Sequence, residues 1–305
     1  MIVGFLIGPK IFADQKNAGE DVHKNTSQQT ALSTTTPSHP DPFAHVSLTA
    51  KSAFVWDIAN QRVLYAKNAE TPETLASITK MMTAVVALET ASPDDEITIR
   101  KEDLEVEGST DLRRDERWSL KDLLELTLVE SSNHGASAIA ASVGAAIDKK
   151  SDHVVQDERS TFVSAMNAKA KQLGFNSFVF TSPSGLDNGE TSGGLGSARD
   201  VAHLFEYVLR HHSNLLQYTA LPDITVSSRQ HIVHHVVNTN ELAAAMPGIV
   251  GGKTGFTDMA GGNLAVIVDM GIQQPVVIVA LGSTREQRFT DVETLLAATK
   301  SAMIN

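Results

Sequence analysis

Ser77 and Lys80 stand three positions apart at the start of an alanine- and methionine-rich stretch that predicts a helix from Ser77 to Thr90. Residues with this spacing share one helical face, so the lysine amine is expected to reach the serine oxygen. A serine hydroxyl is a weak nucleophile unless a base takes its proton, and a lysine with a lowered pKa is such a base. The pair indicates nucleophilic catalysis, although the spacing alone is also typical of a capped helix with an exposed lysine.

A second polar element, Ser131-Ser132-Asn133, falls between two helical patterns. A hydroxyl and an amide on a short turn can face one cleft, where Ser131 would relay a proton and Asn133 would hold a substrate amide. Serine and asparagine also favour turns for their own local hydrogen bonds, so the element by itself is weak.

A third element is the glycine-rich segment from Gly251 to Thr257, which carries Lys253. Small residues let another backbone approach closely. The Lys253 cation would attract a carboxylate and would lower the pKa of Lys80. A plain glycine-rich turn is the alternative. A phosphate-binding loop fits poorly, because the Gly-x-x-x-x-Gly-Lys-Ser/Thr spacing is absent.

Composition narrows the class of protein. The chain has 305 residues, which suits one large domain or two small ones, and its formal net charge of -11 argues against nucleic-acid binding. It contains no cysteine, which excludes a disulfide framework and a thiolate nucleophile.

The elements that must position these residues follow from periodicity and caps. Strand patterns near both ends with helical patterns between them predict an α/β (α+β) fold, in which N- and C-terminal strands form one antiparallel sheet, flanked by helices, with a helical insertion. The predicted strands are a hairpin, Ser52 to Ile58 and Arg62 to Ala66, and two late strands, Asn263 to Asp269 and Pro275 to Leu281. Helices are predicted to begin at Ser77, after the capping boxes that start at Ser119 and Ser197, and at about His134. Two more are predicted from Thr161 to Gly174 and from about Glu286 to Met303.

The first 43 residues are expected to lie outside the folded domain. Residues 1–13 form a short apolar segment, interpreted as the remnant of a signal or anchor or as a disordered start. Residues 14–43 are rich in Ser, Thr and Pro and are typical of a flexible linker, which leaves 44–305 as the catalytic domain. This arrangement suggests an extracytoplasmic enzyme, in the periplasm or at the cell surface, whose membrane contact is limited to an N-terminal anchor.

The three elements, in this order, are those of penicillin-binding proteins and class A β-lactamases. The chain resembles the D-alanyl-D-alanine carboxypeptidases, the low-molecular-weight penicillin-binding proteins, over roughly Ala50 to Met303. The similarity extends beyond the motifs to the segments Val55–Ile58, Val63–Tyr65, Leu75–Ala84, Leu123–Leu124, Val129–Asn133, Met166–Asn167, Leu173–Gly174, Thr181–Leu186, Gly248–Thr257 and Ala260–Asn263.

The resemblance implies a mechanism on peptidoglycan stem peptides without a cofactor or metal. Ser77 would attack the carbonyl of the penultimate D-alanine and form an acyl-enzyme, with Lys80 as the base and Ser131 as the proton relay. β-Lactam antibiotics would acylate the same serine. The remaining site residues implied are Asn133, backbone N–H groups of Ser77 and Phe256 as the oxyanion hole, and Lys253, Thr254, Gly255 and Arg285 around the terminal carboxylate. Arg285 is matched by position only and is equally typical of a surface residue at a helix start.

The chain departs from the family pattern around the second element. The family usually has glycine between the serine and the asparagine, followed by Asp-Ala; this chain has Ser132 and His134-Gly135. Local helix packing and leaving-group specificity are therefore open.

Four alternatives remain. A D,D-endopeptidase that cuts peptidoglycan crosslinks would use the same residues, and an inactive wall-binding homologue would not use them. A β-lactamase would need a deacylating glutamate in a Glu-x-x-Leu-Asn setting, and Glu206 comes closest but lies in a helical pattern with Arg210 in the last place. A metal site at His211-His212 or at His231, His234 and His235 is less favoured than a polar strand, since no His-Glu-x-x-His element occurs.

Overall fold

A computed structural model describes residues 40–150, 157–271 and 273–304. The predicted apolar segment 1–13 and positions 14–39 of the predicted linker lie outside the described residues. Among the helices that are described, none combines the length and the apolar character needed to cross a bilayer.

Strands and helices alternate along the chain in a mixed α/β order. The strands are β1 Ser52–Asp57, β2 Arg62–Lys67, β3 Glu73–Thr74, β4 Glu96–Thr98, β5 Arg117–Ser119, β6 Val179–Phe180, β7 Gly194–Gly196, β8 Asp223–Ser227, β9 Val233–Val237, β10 Ile249–Thr257, β11 Gly261–Asp269 and β12 Pro275–Ser283. The helices are α1 Lys80–Thr90, α2 Leu120–Glu130, α3 Asn133–Lys150, α4 Glu158–Gln172, α5 Ala198–His211, α6 Ser213–Thr219 and α7 Gln287–Ile304.

The main sheet joins the two ends of the domain. Its strand order is β10-β11-β12-β1-β2, with every neighbouring pair antiparallel. β1 lies against β12, with Ser52 opposite Leu281 and Asp57 opposite Val276. The predicted sheet of N- and C-terminal strands is confirmed.

Helices cover both faces of this sheet, which explains why β1 is buried along its whole length. Successive side chains of a strand point to opposite faces. Phe54 and Trp56 pack into the large cluster formed with the inserted helices, whereas Ala53 and Val55 pack into a second cluster that includes Leu295 of α7. The sheet is therefore the middle of three layers.

Side-chain caps begin the helices of the insertion. Ser119 and Ser197 each accept a hydrogen bond of 3.1 Å from the backbone N–H three residues later, as the two capping boxes predicted. α4 begins at Glu158 rather than at the predicted Thr161, because Asp157 accepts from the N–H groups at the helix start.

The glycine-rich third motif is a strand. β10 forms one edge of the main sheet and carries residues 251–257, which the sequence pattern did not identify as a strand. Glycine has low strand propensity, which hides the pattern, and the long pairing with β11 compensates for it.

Candidate active site

Ser77 lies on a 3-10 turn, Ala76–Thr79, that leads directly into α1. This turn and the following helix place Lys80 behind the serine, where the lysine side chain is completely buried. Its Nζ atom lies 2.8 Å from Ser77 Oγ, 2.8 Å from Asn133 Oδ1 and 2.9 Å from the Ser184 carbonyl oxygen. The predicted nucleophile and base are therefore in direct contact.

The partners of Lys80 fit a neutral amine. A neutral amine has two N–H donors and one lone pair, and the Asn133 and Ser184 oxygens can only accept. The lone pair is then left for the Ser77 hydroxyl, which can donate. Burial, and secondly the charge of Lys253, hold the pKa of Lys80 well below its ordinary value.

Lys253 lies on β10 and is also buried. Its Nζ atom donates to Ser131 Oγ at 2.8 Å and to the Thr254 carbonyl at 3.0 Å. Burial, and secondly the charge of Arg288, lower its pKa to about 7. The charge that the sequence predicted beside Lys80 is thus present, on a group that itself titrates near neutral pH.

The second motif is held in place by backbone geometry. Ser131 ends α2 in the left-handed conformation, with φ 67°, and Asn133 begins α3. Thr239 links this corner to β10, since its N–H donates to the Val129 carbonyl at 3.1 Å and its hydroxyl lies 2.6 Å from that of Thr254.

Gly255 brings β10 against the nucleophile turn. A Cβ atom at this position would lie 2.7 Å from the Leu75 carbonyl oxygen and 3.2 Å from the Ser77 backbone nitrogen. Only a residue without a side chain allows this approach. Phe256 follows it on the strand, so the two backbone groups predicted for an oxyanion hole lie on neighbouring segments.

Two arginines lie at this end of β10. Arg285 is exposed and places its guanidinium 4.0 Å from the centre of the Phe256 ring. Arg288, which the sequence interpretation missed, is buried in the first turn of α7 and donates to the Gly255 carbonyl at 2.9 Å. Burial, and secondly Arg285, lower the pKa of Arg288 to about 10. Its position three residues after Arg285, at the predicted start of the last helix, was the available signal.

A cavity of about 570 Å³ opens beside these groups and is lined by, among others, Asn133, Leu186, Phe256, Thr257 and Arg285. It is large enough for several residues of a peptide. The carbonyl of Ser184, which fixes Lys80, also escaped the sequence interpretation, because a backbone acceptor leaves no signature in residue type.

The residues behind the β-lactamase and metal alternatives lie elsewhere. Glu206 on α5 accepts from Trp56, Gln61 and Arg210, none of which belongs to the site. His234 is buried against Glu116 at 2.7 Å, while its neighbour His235 is exposed on the other face of β9. Within the described residues, no group of three or more acidic or histidine side chains is placed to hold a metal ion.

Comparisons with known proteins show the family of the chain. A sequence profile of D-alanyl-D-alanine carboxypeptidases matches residues 33–285. A D-alanyl-D-alanine endopeptidase of Pseudomonas aeruginosa is 32% identical over 265 residues, which cover 84% of this chain and 78% of the relative. The D-alanyl-D-alanine carboxypeptidase DacF of Bacillus subtilis is 27% identical over 253 residues, which cover 81% of this chain and 61% of that longer relative.

Among solved structures, penicillin-binding protein D2 of Listeria monocytogenes in its cefotaxime-bound form superposes with a TM-score of 0.68 and 28% identity, covering 83% of this chain and 97% of that one. The resemblance inferred from the motifs is confirmed: the chain belongs to the D-alanyl-D-alanine carboxypeptidase family.

Proposed function

We propose that this protein is a serine-type D-alanyl-D-alanine carboxypeptidase that removes the terminal D-alanine of peptidoglycan stem peptides through an acyl-enzyme on Ser77. The observation that carries the proposal is the contact of 2.8 Å between Ser77 Oγ and the buried amine of Lys80. Acyl transfer needs an activated hydroxyl, and this lysine is placed and tuned to be its base.

In the acylation step, Lys80 takes the proton of Ser77 as Oγ bonds to the penultimate D-alanine carbonyl carbon. The N–H groups of Ser77 and Phe256 stabilise the oxyanion. The peptide bond to the terminal D-alanine then breaks, and the leaving amine receives a proton relayed through Ser131, whose hydroxyl is hydrogen-bonded to Lys253. Water then hydrolyses the ester, which regenerates the Ser77 hydroxyl and releases the shortened peptide with a new terminal carboxylate.

The cations at the end of β10 support recognition of a chain-terminal carboxylate. Lys253, Arg285 and Arg288 concentrate positive charge beside the cavity in a protein whose formal net charge is -11. Charge-assisted hydrogen bonds to a carboxylate are roughly twice as strong as neutral ones. We place the substrate carboxylate near Lys253, Thr254 and Arg285, with Arg288 fixing the strand behind them.

Mass spectrometry of products from a defined pentapeptide muropeptide tests the proposal, with Ser77→Ala as the inactive control. The expected products are the tetrapeptide and free D-alanine. If the protein releases no D-alanine, cuts no crosslink and carries no covalent penicillin on Ser77, the result would instead favour a wall-binding protein. Fast nitrocefin turnover without D-alanine release would favour a β-lactamase.

A D,D-endopeptidase is the second candidate, because curated relatives from Pseudomonas aeruginosa, Haemophilus influenzae and Escherichia coli with 31–32% identity carry the name D-alanyl-D-alanine endopeptidase. The same chemistry would then cut a crosslink. Digestion of crosslinked muropeptides separates the two activities, since an endopeptidase yields separated stems and a carboxypeptidase yields D-alanine.

Action on peptidoglycan also places the protein outside the cytoplasmic membrane, in the periplasm or at the cell surface. Cell fractionation with and without residues 1–13 tests this location and the proposed anchor together.

A further inference from the structure

The hydroxyl of Thr239 lies 2.6 Å from the hydroxyl of Thr254, the residue that follows Lys253 on β10. Thr254 is buried, and Thr239, in the segment after β9, is half-buried. Either oxygen can be the donor of this short hydrogen bond, because each hydroxyl has one hydrogen and two lone pairs. The pair therefore has no fixed direction of its own.

The backbone around Thr239 is held by contacts other than this bond. The Thr239 N–H donates to the Val129 carbonyl at 3.1 Å. The buried side chain of Asn238 donates to the Thr219 carbonyl at 3.0 Å. The hydroxyl of Thr219 in turn accepts from the Gly252 N–H on β10 at 3.1 Å. The segment is thus fixed against β10 whether or not the two threonine hydroxyls are bonded to each other.

A substrate carboxylate would decide the direction of the bond between the hydroxyls. Under the proposed function Thr254 binds the terminal carboxylate of the stem peptide, and a carboxylate can only accept. Thr254 must then give its single hydrogen to the substrate, so the bond of 2.6 Å needs Thr239 as its donor. Without that donor, two oxygen atoms with no hydrogen between them would face each other at this distance.

The amide of Asn133, in the same site, behaves differently because its two ends are distinct. Its Nδ2 atom donates to the Glu107 carbonyl at 2.9 Å, and its Oδ1 atom lies 2.8 Å from Lys80 Nζ. The amide is thus oriented before a substrate arrives, whereas the threonine pair takes its direction from the group that it binds.

Two effects make the direction matter for a charged chain end. Hydrogen bonds to a carboxylate are stronger than bonds between neutral groups, and bonds in a chain polarise one another. Donation from Thr239 therefore strengthens the hydrogen bond that Thr254 gives to a carboxylate. The cation of Lys253 lies at the same place, since its Nζ atom donates to the Thr254 carbonyl at 3.0 Å.

We propose that Thr239 is a positioning residue for substrate recognition: its hydroxyl donates to Thr254 and so directs the Thr254 hydroxyl hydrogen to the carboxylate of the leaving D-alanine. Thr239 acts through Thr254 and does not itself contact the substrate. The proposal rests on the carboxylate site of the proposed function. It gives Thr239 a part in the preference for a charged chain end over a neutral one.

Two substitutions and two substrates test this role. Thr239→Val keeps the shape of the side chain and removes the hydroxyl, whereas Thr239→Ser keeps the hydroxyl. Thr225→Val, on the exposed face of β8, is the matched control. The substrates are an acyl-D-alanyl-D-alanine and the same peptide ending in D-alaninamide, and kcat and KM are measured for each.

We expect Thr239→Val to raise KM for the carboxylate peptide about three- to tenfold with kcat almost unchanged, the effect of one lost hydrogen bond that acts on binding. For the amide peptide the change should stay below about twofold, because its N–H groups can donate to the lone pair of Thr254 that Thr239 leaves free. Thr239→Ser should keep the carboxylate preference, and Thr225→Val should equal the wild type.

An equal loss for both peptides in Thr239→Val would overturn the proposal, because it is the result of a merely structural role. No change for the carboxylate peptide would overturn it as well. If Thr239→Val does not fold, Thr239→Ala decides, since it removes the same hydroxyl with less bulk.

Binding of the two peptides to Ser77→Ala, with and without Thr239→Val, measures the same preference by calorimetry without any reaction. The dissociation constant of the carboxylate peptide should rise about three- to tenfold, and that of the amide peptide less than about twofold. If this dependence on Thr239 is found but the wild type releases no D-alanine, the proposed function is refuted and the role of Thr239 is supported. A protein that binds neither peptide would refute both.

Discussion

Lys253 and Ser131 are joined by a hydrogen bond of 2.8 Å across 122 residues of sequence. This bond ties β10 to the end of α2, as the contact of Lys80 with Asn133 ties α1 to the start of α3. The second motif is thus hydrogen-bonded to both of the others, in each case through a buried lysine, and the charge of Lys253 acts on Lys80, so a change in one motif is expected to alter the protonation of another.

Substitution of Lys80 should abolish acylation without removing the serine. Lys80→Arg keeps a cation but cannot lose its proton, and Lys80→Met has no base. We expect both to lower the rate of penicillin acylation by about 10²- to 10⁴-fold, the range typical of a general base. Stopped-flow labelling measures this, with Lys300→Arg on the exposed side of α7 as the control. A rate within tenfold of wild type would mean that another group removes the proton.

The pH dependence of acylation should be bell-shaped. Lys80 must be neutral, so activity rises as pH rises through its lowered pKa. Lys253 must stay charged beside the substrate carboxylate, and with a pKa of about 7 its loss of charge gives the alkaline limb. Because the two lysines interact, the limbs report the pair rather than single residues. Rate constants measured across the pH range check this, and a profile flat through neutrality would contradict it.

Arg288 should control the alkaline limb. Its charge helps to lower the pKa of Lys253, so Arg288→Gln is expected to move that limb to higher pH. Arg285→Gln is the matched comparison, since Arg285 acts on Arg288 and not on Lys253; it should weaken substrate binding with the limb in place. The pH profile of kcat/KM in the two variants measures the difference. Equal shifts of the alkaline limb in both variants would show that Arg288 has no special influence on Lys253.

The pH dependence of the free energy of unfolding should also reveal the buried amine of Lys80. Between the lowered folded-state pKa of Lys80 and its ordinary value, the unfolded chain binds more protons than the folded one, so this residue makes stability rise with pH. Lys80→Met lacks that contribution. The free energy of unfolding of the variant relative to wild type should therefore be most favourable at low pH and should decline as the pH rises towards the ordinary pKa of lysine. Denaturant titrations measure it, and Lys300→Met should give a flat difference.

Gly255→Ala should damage the site through contact alone. The added Cβ would lie 2.7 Å from the Leu75 carbonyl, forcing β10 away from Ser77. We expect acylation to fall by at least about tenfold and stability by about 1–3 kcal/mol, as in other overpacked sites. Gly174→Ala is the control: its φ is 78° but no atom lies within 4 Å of the added carbon, so it should cost about 1–2 kcal/mol and leave acylation unchanged. Labelling rates and thermal unfolding of both variants give the comparison.

Local sequence signals predicted the helices and strands well where their formation depends on residues close in sequence. Ser119 and Ser197 identified two helix starts, because a cap and its partner lie within one turn. Continuous apolar runs in β1 and β12 identified the sheet, since both strands are rich in β-branched or aromatic residues. β10 escaped because glycines that serve the site weaken the strand pattern.

Contacts distant in sequence explain what the motifs did not disclose. Nothing in the pattern around Ser131 indicates that its hydroxyl accepts from Lys253, and the carbonyls of Ser184 and Glu107 have no side-chain signature. Arg288 was passed over because burial, which distinguishes it from Arg285, is a property of the packed chain. Residue type predicted which side chains the fold brings together, and packing determines their hydrogen-bond partners and burial.

The pairing of β1 with β12 has a consequence for how the protein is made. Ser52 lies opposite Leu281, so the central pair of the sheet forms only when the last strand has been synthesised. Pairings so distant in sequence close large loops and fold slowly. Until then, Phe54 and Val55 have no partner strand on that side, and the emerging chain exposes an apolar edge that invites association with other chains. The nascent protein is therefore expected to depend on chaperones that hold it open until its C-terminal strands arrive.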